Sequence, residues 1–425
     1  MKKIFITLMG MCLTFGACTN DEDETPKKEE GTKTENTDDM PEYKWQPAKA
    51  IQLDAASKAV NEGIKAFAWK LFGQVMNGEK GKDVLVSPYS LEADLSVLLC
   101  GLQGETRKEL LGVMGLTNAS ETDINRYITT MGKGIAEADN MTRFASAYSL
   151  WYNQSARLNP AFSEKIEKGY GVEIYPTTFG KEATDKINAW CAEKTGDRIQ
   201  HFLEKTEPDE LMHLLNAVYF RSNWADHFDN VEARPFTAAD GTRQMVETMW
   251  ETFNGTASYA QKEGYVMAGV PFNNGAFEMF FILPDEDKTL SQVVAQIVKQ
   301  EPDVAGMETA ATLRLYVPKF ESEYSMDLNG ALKALGCQKM FSEGKDFQLF
   351  ENVEMPVSQV LQKTFLKIDE KGAEAAAVTD IKMLTADPDA SQPKLITVDL
   401  NRPFIYGIVE KSTGLPLFIG SKGKI

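Results

Sequence analysis

The segment Glu370-Lys371-Gly372-Ala373-Glu374-Ala375-Ala376-Ala377-Val378-Thr379 narrows the possible folds more than any other part of the chain. It follows an apolar run with strand character, Thr364-Phe365-Leu366-Lys367-Ile368. Some twenty loop-like residues then lead to a second β-rich block, Leu395 to Ile419. A compact domain rarely keeps so long a connection without a use for it. Gly372 supplies a hinge, and the small residues after it have little bulk to bury. Such a segment can stand in solvent in one state and serve as a central strand in another.

Charge and hydropathy remove several function classes. The formal net charge of −17 argues against a nucleic-acid partner, because that affinity comes largely from Lys and Arg neutralising phosphates. Beyond the N-terminus no stretch approaches the roughly 18 apolar residues that span a bilayer, so the body is expected to be soluble. Lys2-Lys3, an apolar run from Ile4 to Phe15, Gly16-Ala17 and Cys18 together resemble a bacterial lipoprotein signal. On that reading residues 1–17 are removed and Cys18 is acylated, placing the protein on the outer membrane, surface-exposed. An ordinary secretory signal cut near Ala17 is the alternative. The cluster Asp21-Glu22-Asp23-Glu24 resembles a surface-export tag and equally begins a solvated linker. Residues 18–48 read as an acidic, disordered tether: from Thr19 to Glu42 ten acidic residues face three basic ones, with almost no aliphatic residues to bury. Cys100, Cys191 and Cys337 lie in apolar or helical patterns and read as buried structural thiols.

From residue 49 onward a folded domain is expected. Val60, Ile64, Phe67, Leu71 and Val75 recur at helical spacing over Ala55 to Met76. Ser87-Pro88 opens a second helix, apolar on nearly all sides over Leu91 to Leu102, and a third is predicted over Asp185 to Thr195. Strand-like runs follow at Leu214–Phe220, Tyr265–Pro271, Glu278–Leu283 and Thr312–Pro318. Helices early and strands late predict an α+β domain with antiparallel sheets. The three histidines, His201, His213 and His227, have no metal-binding spacing, and no G-x-S-x-G elbow is present. Nothing in the sequence asks for a cofactor or a metal, and an enzyme is not expected.

Several motifs, in order, carry a family resemblance. They are Val86-Ser87-Pro88-Tyr89-Ser90, Gly101-Leu102-Gln103-Gly104-Glu105-Thr106, Asn188-Ala189-Trp190, and Leu215-Asn216-Ala217-Val218-Tyr219-Phe220 with Trp224. Pro235-Phe236, Phe281-Ile282-Leu283-Pro284, Val317-Pro318-Lys319-Phe320, Asn401-Arg402-Pro403-Phe404 and Leu417-Phe418-Ile419-Gly420 complete the set. From about Ala55 to Ile425 the chain is similar to the serpins. The resemblance implies eight to nine helices around three mainly antiparallel sheets and an exposed reactive-centre loop at about 370–394.

It further implies an irreversible suicide-substrate inhibitor of serine proteases, with cysteine proteases left open, expected to be a monomer. The alternative is a non-inhibitory member that binds at the surface or is merely cut. In the inhibitory mechanism the protease cuts the loop, and the loop then enters the large sheet as a new strand. The residues suit that step. Ala373, Ala375, Ala377, Thr379, Ile381 and Met383 alternate with Glu374, Ala376, Val378, Asp380, Lys382 and Leu384, and every charge falls in the second set. Counting as the family counts from Glu370, the reactive bond is Ala386–Asp387, with Leu384, Thr385, Met383 and Lys382 as neighbours. Small and apolar residues there suggest elastase-like or subtilisin-like targets, and Lys382 a trypsin-like one. Ser87, Ser90 and Asn216 match the polar cluster where the sheet opens; Gln362 stands where the family has His, and Trp224 where insertion begins. Only Arg126 and Lys133 are basic between Leu116 and Asn140, which argues against a heparin-type activator.

Overall fold

The computed structural model describes residues 44–79, 81–342, 344–354, 356–373 and 394–425. Cys18, most of the acidic tether, the loop positions Ala375, Ala377 and Thr379, and the candidate bond region Lys382, Met383, Leu384, Thr385, Ala386 and Asp387 lie outside the described residues.

The N-terminal half interleaves helices with three strands: α1 (Ala55–Gly78), β1 (Val84–Val86), α2 (Pro88–Leu99), α3 (Gly104–Val113), α4 (Glu121–Ala138), β2 (Arg143–Asn153), α5 (Pro160–Tyr170), β3 (Glu173–Thr177) and α6 (Lys181–Lys194). Strands then dominate: β4 (Met212–Asn223), β5 (Asn230–Thr237), β6 (Arg243–Phe253), β7 (Ser258–Lys262), β8 (Tyr265–Pro271) and β9 (Phe277–Pro284). After α7 (Leu290–Gln300) come β10 (Glu308–Thr309), β11 (Leu313–Pro318), β12 (Phe320–Asp327) and α8 (Asn329–Leu335). The chain closes with β13 (Leu361–Asp369), β14 (Gly372–Ala373), β15 (Ile396–Asp399), β16 (Phe404–Glu410) and β17 (Leu415–Lys422).

Local chemistry sets many of these boundaries. Asp54 caps α1 by accepting from the Ser57 backbone N–H at 2.7 Å, and Ser87 caps α2 ahead of Pro88, whose fixed φ suits the first turn. Thr289 and Gln292 form a capping box on α7.

The strands form three sheets: β12-β13-β14-β4-β2-β3, β1-β17-β16-β9-β8-β7-β10, and β15-β11-β6-β5. All pairings are antiparallel except β2 with β3 and β11 with β15. The expected α+β architecture, with eight α-helices and three sheets among the described residues, is therefore observed. The six-stranded sheet has apolar matter on both faces. Val218, Phe220, Leu366 and Ile368 join the main core, which includes α2 and the seven-stranded sheet. Leu215 and Ala217 point the other way and pack with Ile187, Trp190 and Cys191 of α6. Alternation along one strand thus serves two layers. α2 touches both β4 and β17, so it lies between the two larger sheets. The described chain begins five residues before the expected domain start, and the carbonyls of Lys44 and Gln46 accept hydrogen bonds from Asn140 and Asn274.

Candidate functional site

Strand order in the six-stranded sheet defines the site. β14 is only two residues long, yet it sits between β13 and β4, pairing Ala373 with Ile368 on one side and Ser222 on the other. Below it, among the described residues, no ladder joins β13 directly to β4. The two strands therefore face each other across a slot whose top is plugged by the first two residues of the hinge.

The top is tightly tied. Gly372 has φ 152°, and a Cβ there would meet Asn223 Cα at 2.7 Å and the Ser222 carbonyl carbon at 3.0 Å, so only glycine fits the turn into β14. Ala373 is fully buried. Trp224, 2% exposed, donates from its indole N–H to the Asp369 carbonyl at 2.8 Å and from its backbone N–H to the Lys371 carbonyl at 2.9 Å. Phe228 N–H donates to the Glu370 carbonyl at 3.1 Å. Phe272 stacks on Trp224 at 4.6 Å and 8°, holding the indole in place. Lys319 pairs with Glu370 at 3.1 Å. Partial burial pushes the Glu370 carboxyl up, but backbone hydrogen bonding and Lys319 outweigh it, leaving the carboxyl below its usual range.

The middle of the slot is polar and only partly satisfied. Gln362 of β13 accepts from the Ser87 N–H and donates to the Ser87 carbonyl, both at 2.9 Å. Its amide is thus fastened to the start of α2 rather than reaching across the gap. Thr364 donates to the Leu85 carbonyl at 2.7 Å, and the Ser87 hydroxyl to the Leu417 carbonyl at 2.8 Å. The Ser87 hydroxyl also accepts from the Ser90 N–H at 3.3 Å. On the β4 side the Asn216 side chain meets Tyr148, and its amide donates to the Ser90 carbonyl at a long 3.5 Å. Its buried Oδ1 has no partner among the described residues.

α2 carries two buried carboxyls, of which Asp94 lies at the foot of the slot. Burial pushes Glu92 up to about 8, with the Ser96 hydroxyl, donating at 3.4 Å, pulling it partly back. Burial alone drives Asp94 well above the carboxylate range, and its buried Oδ1 has no hydrogen-bond partner among the described residues. Asp94 lines a cavity of about 220 Å³ between the first residues of β4 and the segment entering β13.

The structure therefore brings together the hinge residues Glu370, Gly372 and Ala373 with Trp224, and the cluster Ser87, Ser90, Asn216 and Gln362. Lys319, Phe272, Thr364, Glu92 and Asp94 were not singled out as site residues from sequence. For the last two the signal was legible: two acids inside a helix whose other residues are apolar or hydroxyl-bearing.

Residues 62–423 match the family described as Serpin (serine protease inhibitor). The chain belongs to the serpin family. Among relatives of this serpin, corticosteroid-binding globulin of Oryctolagus cuniculus is 28% identical, over 83% of this chain and 92% of the relative. Serpin-Z1B of Triticum aestivum is 27% identical, over 83% and 93%. The solved native state of Tengpin, a thermophilic serpin, superposes with a TM-score of 0.78 at 27% identity, covering 90% of this chain and 98% of Tengpin. Serpins are mostly inhibitors rather than catalysts and typically target proteases, and the family also has non-inhibitory members.

Proposed function

We propose that this serpin is an irreversible suicide-substrate inhibitor of serine proteases, trapping the acyl-enzyme by drawing its cut loop into the slot between β4 and β13. The register of β14 carries the reading. Continued one residue per step in an inserted loop, that register would set Ala375 opposite Phe220 and Leu366, Ala377 opposite Val218 and Thr364, and Thr379 opposite Asn216 and Gln362. Ile381 then meets Leu214 and Val360, and Met383 meets Met212 and Ser358. These uncharged residues share the core-facing side with Ala373. The Thr379 hydroxyl arrives beside the unpartnered Asn216 oxygen, so insertion would supply a donor that the native slot lacks. At roughly 3.3 Å per residue, about 15 inserted residues carry a bound protease about 50 Å.

The reactive bond is assigned to Ala386–Asp387, the targets to elastase-like or subtilisin-like enzymes, and the location to a lipid anchor at Cys18. The kinship with corticosteroid-binding globulin favours the second reading, a non-inhibitory binding protein. Incubation with pancreatic elastase and subtilisin, followed by a denaturing gel, separates the two. A band at the summed mass of serpin and protease supports inhibition; loop cleavage without such a band across a protease panel supports the binding protein.

A further inference from the structure

We propose that the cavity at the foot of the slot binds a small amphipathic amine, an apolar body carrying one ammonium group, with Asp94 as the anion that receives it. The walls are mostly apolar, with Leu95 and Leu98 of α2, Leu214 of β4 and Phe347 among them. A dry apolar cavity of about 150 Å³ accepts benzene, so about 220 Å³ has room for one ring and a short amino-alkyl arm.

Charge selects the class of ligand. Among the described residues the ionisable side chains lining the cavity are Asp94, Asp209 and Glu210, all acidic, with no basic residue beside them. Glu210 is already engaged by His213 at 2.8 Å, and Asp209 is exposed. Asp94 is 8% exposed, and its Oδ1 has no hydrogen-bond partner among the described residues. Burial disfavours the Asp94 carboxylate, and an ammonium donor beside it restores that form, so the amine binds with release of the carboxyl proton and forms a charge-assisted pair. A divalent cation would require several oxygen ligands, whereas Asp94 stands as the one buried carboxylate on these walls. Loop insertion does not absorb Asp94 either, because Ile381 and Met383 would bring only apolar side chains to this end.

The site is tested on the full chain by calorimetric titration with 2-phenylethylamine and with its neutral analogue 2-phenylethanol. The amine should bind saturably and about tenfold or more tighter than the alcohol, the size expected of one charge-assisted hydrogen bond. Asp94→Asn, an isosteric change, should bring the amine down to the level of the alcohol while circular dichroism shows an intact fold. Val357→Trp, at a half-buried wall position, should fill the cavity and abolish binding of both. Absence of saturable amine binding, or amine binding unchanged in Asp94→Asn, overturns the proposal. No protease enters the titration, so its outcome is independent of the inhibitory reading.

Discussion

The two ends of the slot are built in opposite ways. The top is tied at several points: Trp224 holds the carbonyls of Asp369 and Lys371, Lys319 pairs with Glu370, and Ala373 is laddered on both sides. Lower down, Asn216 and Asp94 each bury an oxygen without a partner, and a cavity opens beneath β4. An unmet buried acceptor costs about 1–3 kcal/mol, and a cavity forfeits packing. The upper end fixes where a strand begins, and the Asn216 oxygen lower down is an unmade interaction that a longer strand would complete. A fold finished at one end and unfinished at the other is suited to a single, directed rearrangement.

The contrast can be broken first at the top. Ala373→Arg would force an unpaired charge into a fully buried position, at a cost on the order of several kcal/mol. On a denaturing gel the covalent complex should vanish, leaving only cleaved serpin. Next comes α2. Because folding raises the Glu92 carboxyl from its ordinary 4.5 to about 8, the native state keeps a proton that the unfolded chain releases. The stability this group contributes is fully present below about pH 4.5 and is lost as pH rises to about 8, then stays level. Glu92→Gln should therefore gain over the parent between pH 5 and pH 8, by on the order of a few kcal/mol at the upper end. Denaturant midpoints at the two pH values measure this, and a gain independent of pH contradicts it.

A finer test targets the lower slot. Thr379→Val should leave the intact protein unchanged and lower the stability of the loop-cleaved form by about 1–3 kcal/mol, because the Asn216 oxygen stays unpartnered. Equal midpoints for the two cleaved forms would show that Thr379 does not reach Asn216. The smallest effect is expected for Lys319→Met, which removes a partly exposed ion pair worth about 0–1 kcal/mol. That difference should disappear in 1 M salt.

Much of this was legible in sequence because it is local or periodic. β8 spans Tyr265–Pro271 as its strand-like run predicts, and α1 runs only two residues past the expected Met76. The hinge was readable because glycine and small residues have a local meaning. β2 was not, since Arg143–Asn153 mixes Ser and Ala with aromatics, and it becomes a central strand only through pairing with β4. Gln362 fastens to Ser87, 275 positions away, instead of spanning the gap; no pattern within either segment encodes that choice. Asp94 is conspicuous in an apolar helix, but its lack of a partner emerges only when β4 and the approach to β13 close over α2.

The central claim is that the slot accepts the loop as a strand. The most direct measurement is the unfolding midpoint, by circular dichroism in moderate guanidinium chloride, of intact protein and of protein cut once within residues 382–387. Insertion predicts a midpoint raised by roughly 10 °C or more in the cut form, as unmade ladder bonds and buried side chains are added. A cut form that unfolds at or below the midpoint of the intact protein would contradict the account.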